Sequence, residues 1–125
     1  MTTVLIADDE LNVRLLVNTL VSSAQYNVVE AVDGDEAWAL LQSERPAVAI
    51  LDVQMPGRTG VELARAIKAD PELASTHVVL LTARAQESQK AEGLAAGADT
   101  YLTKPFSPVQ LLSVIEQALG LSAGR

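Results

Sequence analysis

VLIADDE, residues 4–10, runs four apolar side chains straight into three acids. The apolar part is too short for a helix and is rich in Val, Leu and Ile, so it reads as a strand. It has no polar alternation, which points to a strand covered on both faces, as in a parallel sheet. The acids then project past the strand's carboxyl end. With TVLIA (3–7) as the first strand, four more runs have similar character: NVVEAV (27–32), AVAIL (47–51), VVLLT (78–82) and TYLT (100–103).

Between these runs the apolar residues follow a helical period. Val13, Leu16, Val17, Leu20 and Val21 share one stripe. Ala37, Leu40 and Leu41 form a second, Leu63, Ala64 and Ile67 a third, and Leu111, Leu112, Ile115 and Leu119 a last. The segment 86–96 is weaker. Its apolar face is expected from Ala91, Leu94 and Ala95, which makes it the least firmly docked helix. TGVE (59–62) and SPVQ (107–110) have the spacing of capping boxes, the second with Pro108 at the first helical position. Gly97 and Gly120 stand where helix C-caps belong. Five strand–helix alternations predict a doubly wound α/β domain with a five-stranded parallel sheet.

A length of 125 residues suits one domain over 1–125, with 121–125 read as a frayed tail or a cut linker. Sixteen acids against nine Lys and Arg give a net charge of −7, which argues against nucleic-acid binding by this chain. The chain has no cysteine, which removes disulfides and thiolate metal sites. No run reaches the roughly 18 apolar residues a membrane helix needs, and the start lacks a basic signal-peptide region. The expectation is a soluble, cytoplasmic domain.

In open parallel sheets, ligands bind beyond the carboxyl ends of the strands. The residues at those ends are Asp8, Asp9 and Glu10, then Asp52, Thr82, and Lys104 beside Thr103. Asp33 ends the second strand, but DGDE (33–36) also reads as a turn and helix cap. Carboxylates brought this close repel one another unless a cation joins them. A hard divalent ion such as Mg²⁺ takes one or two carboxylates, waters and phosphate oxygens. A lysine and a hydroxyl beside it suit a phosphoryl group, and an aspartate can accept one as an aspartyl phosphate. Singly, each residue is ordinary: a turn acid, a strand threonine, a surface lysine. Their coincidence at strand ends carries the functional reading.

These pieces resemble the receiver domain of two-component response regulators. The resemblance rests on ADDE (7–10), LDVQMPGRTG (51–60), LTA (81–83), GADTYLTKPF (97–106) and SPVQLL (107–112), and covers essentially the whole chain. It implies a flavodoxin-like strand order, 2-1-3-4-5. It implies that Asp52 is the phosphoacceptor and that Asp9 binds Mg²⁺ directly, with Mn²⁺ as a substitute. Asp8 assists through water, and the main-chain carbonyl of Gln54 completes the ligands. Lys104 pairs with the phosphoryl group, Thr82 and Tyr101 act as the switch pair, and the Lys104–Pro105 peptide is cis. Gln54 and Arg84 flank the path of hydrolytic water and modulate phosphoryl lifetime. Glu10 reads only as the start of the first helix, Trp38 and Phe106 as packing, and His77 as a solvated residue before the fourth strand.

The implied partners are a sensor histidine kinase or a histidine phosphotransfer protein, and a downstream protein or effector domain. Output uses the face of helix 4, strand 5 and helix 5, through which a phosphorylation-dependent dimer could also form. Such a domain is not a turnover enzyme; it catalyses only its own phosphorylation and slower hydrolysis. Rival readings are a receiver excised from a longer regulator, a docking scaffold, and a Mg²⁺-dependent aspartyl-phosphate phosphatase. The phosphatase would need a second acid where Gln54 stands. A flavin-binding domain would need a hydroxyl-rich loop that 7–12 lacks.

Overall fold

A computed structural model describes residues 2–21, 26–83 and 87–120. The strands are β1 (Thr2–Ala7), β2 (Tyr26–Ala31), β3 (Val48–Asp52), β4 (His77–Ala83) and β5 (Thr100–Lys104). The helices are α1 (Leu11–Val21), α2 (Gly34–Glu44), α3 (Gly60–Ala69), α4 (Glu87–Ala95) and α5 (Pro108–Ala118). Every strand boundary falls within one residue of its expected position. The readings of 121–125 as a tail or linker and of Arg84 as a lifetime modulator lie outside the described residues.

All strand pairs are parallel, in the order β2-β1-β3-β4-β5. The pleat divides each apolar run between two cores. Leu5, Leu51 and Leu80 pack with Leu41, Leu63 and Ile67 of α2 and α3. Val4, Ile6, Ile50 and Leu81 pack with Val17, Leu111 and Ile115 of α1 and α5 on the other face. This is why the strands lack polar alternation: both faces are covered. The central strand β3 is buried along its whole length, whereas the edge strands β2 and β5 are largely half-buried. Among the described residues, no helix is long and apolar enough to cross a membrane.

The capping signals act as read. Thr59 and Glu62 exchange side-chain and backbone hydrogen bonds at the start of α3, and Ser107 and Gln110 do so at α5. Past α4, Ala98 N–H donates to Gly93 C=O and Gly97 N–H to Leu94 C=O, a Schellman ending with Gly97 at φ +105°. Asp33 caps α2 by accepting from the Glu36 N–H. His77 is not a solvated preface to β4 but its first residue, half-buried, with Nε2 3.1 Å from Thr100 Oγ1.

The expected apolar face of α4 is overturned. Ala91, Leu94 and Ala95 are exposed, while Gly93 and Ala96 are buried. A Cβ added to Gly93 would lie 2.3 Å from Leu80 Cδ1. The helix therefore docks at close range through Gly93, with Ala96 buried just past its end, and Leu94 faces away.

Gly60 fixes the geometry next to the sheet's carboxyl edge. Its N–H donates to Val53 C=O, and a Cβ there would lie 2.5 Å from the Asp52 carbonyl oxygen. Gly60→Ala should therefore destabilise by about 1–3 kcal/mol in urea unfolding. Leu63→Ala should lose about 2–5 kcal/mol, but Leu94→Ala should stay within about 0.5 kcal/mol of wild type. A Leu94→Ala loss matching that of Leu63→Ala would put Leu94 back in the core.

Candidate functional site

The parallel register delivers the site. Asp8 follows β1 and is held there by its N–H donating to Ala31 C=O of β2. Asp52 ends β3, and the next N–H, from Val53, donates to Leu81 C=O of β4. In the ladder between β4 and β5, Thr82 stands opposite Thr103 and Ala83 opposite Lys104. The Lys104–Pro105 peptide is cis, as the resemblance implied.

Lys104 is the hub. Its Nζ donates to Asp8 Oδ2 at 2.9 Å, Glu10 Oε1 at 2.9 Å and Asp52 Oδ2 at 3.2 Å. Asp8 is fully buried and Asp52 only 7% exposed, whereas Asp9 and Glu10 face solvent. Carboxylate oxygens of Asp8, Asp9, Glu10 and Asp52 all lie within 4.8 Å of one another. Four carboxylates thus face one ammonium. A cavity of about 380 Å³ opens onto them, lined by Asp9, Glu10, Asp52, Gln54, Ala83 and Lys104.

Charge and burial set the ionisation. Burial, and then the neighbouring charge of Asp8, push the Asp52 carboxyl up to about 6, against the pull of Lys104 and the Gln54 N–H. Burial works against the Lys104 charge. Hydrogen bonds to Asp8 and Glu10, with the fields of Asp52 and Asp8, outweigh it and hold its pKa well above the ordinary lysine value. Lys104 is therefore a permanent cation, and the acids around it still outnumber it.

This donor set fits a hard divalent cation: it is all oxygen, with no thiolate and no imidazole. Thr82 adds an independent sign. It is 1% exposed, and its Oγ1 is the buried side-chain oxygen without a hydrogen-bond partner among the described residues. An unmet buried hydroxyl costs roughly 1–3 kcal/mol; Thr82 precedes Ala83 of the cavity wall and is not itself a lining residue. A ligand oxygen would satisfy its hydroxyl.

Of the residues expected from sequence, Asp8, Asp9, Asp52 and Lys104 come together, with Thr82 alongside. The Gln54 side chain is exposed, and its N–H donates to Asp52 Oδ1 at 3.2 Å. Tyr101 is 37% exposed on β5, opposite Leu80 and outside the cavity lining. Glu10 does start α1, its carbonyl accepting the Arg14 N–H, but its side chain also turns back onto Lys104, which the sequence reading did not include. Arg14 was not foreseen at all. Its Nη1 donates to the Asp8 carbonyl at 2.8 Å, and its Nε pairs with Glu30 at 3.2 Å. Asn18 holds the other Glu30 oxygen at 2.9 Å. A charge inside the apolar run NVVEAV was the available signal, since a charge there needs a partner.

The profile of the response regulator receiver domain family matches residues 4–116. The phosphate regulon transcriptional regulatory protein PhoB of Pseudomonas aeruginosa is 38% identical over 117 residues, which cover 94% of this chain and 51% of that protein. The transcriptional regulatory protein ResD of Bacillus subtilis is 35% identical over 118 residues, 94% of this chain and 48% of its own length. The chain thus spans about half the length of these curated relatives. The chemotaxis response regulator CheY4 of Vibrio cholerae has a solved structure that superposes with a TM-score of 0.85 at 37% identity. That match covers 94% of this chain and 98% of the other.

The raised Asp52 carboxyl has a measurable sign. Its ordinary value is 3.8 and its folded value about 6, so between them the folded state holds the extra proton. Stability from this group is therefore lost as pH rises through that window. In metal-free buffer, the stability of Asp52→Asn relative to wild type should grow between about pH 4 and pH 7. Denaturant unfolding across that range checks it; a pH-independent difference would contradict the assignment.

Proposed function

Because the chain belongs to the response regulator receiver domain family of two-component signalling, we propose that Asp52 accepts a phosphoryl group and that this modification is the signal. The observation that carries the proposal is one convergence: a buried, repelled Asp52 beside a fixed ammonium and a partnerless Thr82 hydroxyl. A carboxylate in that setting is a positioned nucleophile, and the two donors suit the phosphoryl oxygens.

The donor is a phosphohistidine on a sensor kinase or a phosphotransfer protein. An Asp52 oxygen attacks phosphorus, the P–N bond breaks, and the imidazole leaves with the electron pair. Lys104 pairs with one phosphoryl oxygen and the Thr82 hydroxyl donates to another. Asp9, Asp52, the Gln54 main-chain carbonyl and, through water, Asp8 would hold Mg²⁺ or Mn²⁺. When bound, the ion offsets the excess carboxylate charge and the charge on the transferring group. Hydrolysis of the acyl phosphate, slower than its formation, resets the domain, so no external substrate is turned over.

The readout is a shift between two pre-existing states. Thr82 is drawn toward the phosphoryl group, and Tyr101, exposed on β5, turns into the space left behind. That alters the face of α4, β5 and α5; Leu94 of α4 and Tyr101 of β5 are both exposed. An effector domain or a separate protein would receive the change there.

Incubation with Mg²⁺ and acetyl phosphate, followed by intact-mass measurement, tests the proposal. Wild type should gain one phosphoryl mass and Asp52→Asn none. Lys104→Gln should slow the gain by on the order of 100-fold, and Thr82→Ala should slow it less. A phosphoryl gain in Asp52→Asn equal to wild type would remove Asp52 from its role.

A further inference from the structure

We infer that Glu10 is a latch on Lys104, one that must open before a phosphoryl group can be received; the inference rests on the phosphoacceptor reading above. An ammonium has three N–H donors, and here all three are used, by Asp8, Glu10 and Asp52. A phosphoryl oxygen can bond to Lys104 only if one carboxylate lets go. The three are not equivalent.

Asp8 cannot leave readily. It is fully buried, and its second oxygen accepts the Glu10 N–H at 2.8 Å. Releasing it would strand a buried charge. Asp52 is the acceptor and must stay beside the lysine. Glu10 alone is well exposed, with 60% of its side chain accessible, so water can replace the ammonium at little loss.

The surroundings give the side chain a route out. The Glu10–Lys104 pair separates two cavities. On one side is the acid cavity with Asp9 and Asp52. On the other is a groove of about 430 Å³, bounded by Val13, Leu16 and Phe106. Glu10, Ala83 and Lys104 line both. Swinging Glu10 outward frees one donor on Lys104 and joins the two spaces without disturbing the core.

Glu10 is thus a positioning residue that sets how available Lys104 is; its oxygen also lies within reach of the acid cluster, and Mg²⁺ titration separates the two roles. In the reaction with acetyl phosphate, an Asp52 oxygen bonds to phosphorus, the bond from phosphorus to the acetyl oxygen breaks, and acetate leaves with the electron pair. The latch acts before that step.

The test compares wild type, Glu10→Gln and Glu10→Asp at saturating Mg²⁺ and limiting acetyl phosphate, with the rate of phosphoryl mass gain as readout. The aspartate keeps the charge but is shorter by about 1.5 Å, too short to hold Lys104. Both variants should react faster than wild type, on the order of threefold, the scale of an ion pair this exposed. Mg²⁺ titrations followed by backbone amide resonances should show Glu10→Gln nearly unchanged and Asp9→Ala much weakened. If wild type gains no phosphoryl mass, the phosphoacceptor reading itself fails, and the latch with it. If wild type reacts and neither variant is faster, the latch alone is overturned. Acceleration in Glu10→Gln only would mean simple charge repulsion and would also overturn it. So would a loss of Mg²⁺ affinity in Glu10→Gln as large as in Asp9→Ala.

Discussion

One ammonium holds together carboxylates that would otherwise drive apart. Lys104 sits among Asp8, Glu10 and Asp52 at 2.9 to 3.2 Å, and it cannot neutralise all of them. Everything else near the carboxyl edge of the sheet serves to keep that imbalance in place. The buried positions of Asp8 and Asp52 stop water from screening it. Arg14 secures the main chain of Asp8, and Glu30 secures Arg14. On the proposed function, the uncompensated charge makes the site receptive to a cation, and the fixed lysine and partnerless threonine make it receptive to a phosphoryl group.

The fold is the means of assembling this cluster from distant parts of the chain. Parallel strands bring every carboxyl end to one edge. Two covered faces keep the strands mostly apolar, so the site's charges collect at their carboxyl ends, and Glu30, the charge inside β2, is matched by Arg14 and Asn18. The contact of Gly60 with the Asp52 carbonyl then lets α3 begin immediately beside the site. Stability and function meet at this edge, because the same burial that completes the core raises the Asp52 carboxyl.

Much of this was legible in VLIADDE and its counterparts. Apolar runs of strand length, followed by acids, a threonine and a lysine, point to the sheet and to a cluster of charged groups at its carboxyl edge, because both depend on period and position. The capping boxes at Thr59 and Ser107 were legible because they rest on local hydrogen bonds. Contacts decided by tertiary distance were not. Leu94 drew the apolar stripe of α4 toward itself, but close approach to Leu80 selected Gly93 instead. Glu10 followed two site acids and still read as helix, since only its reach to Lys104 assigns it. Arg14 and Glu30 lie 16 positions apart, and nothing local pairs them.

The central claim is that this charge imbalance makes Asp52 the acceptor. Borohydride reduction of the phosphodonor-treated protein converts an aspartyl phosphate to homoserine, which peptide mass spectrometry can place in the chain. The account predicts homoserine at position 52, formed only after treatment with Mg²⁺ and phosphodonor. Homoserine at Asp8 or Asp9, or at no position in protein that has gained the phosphoryl mass, would contradict it.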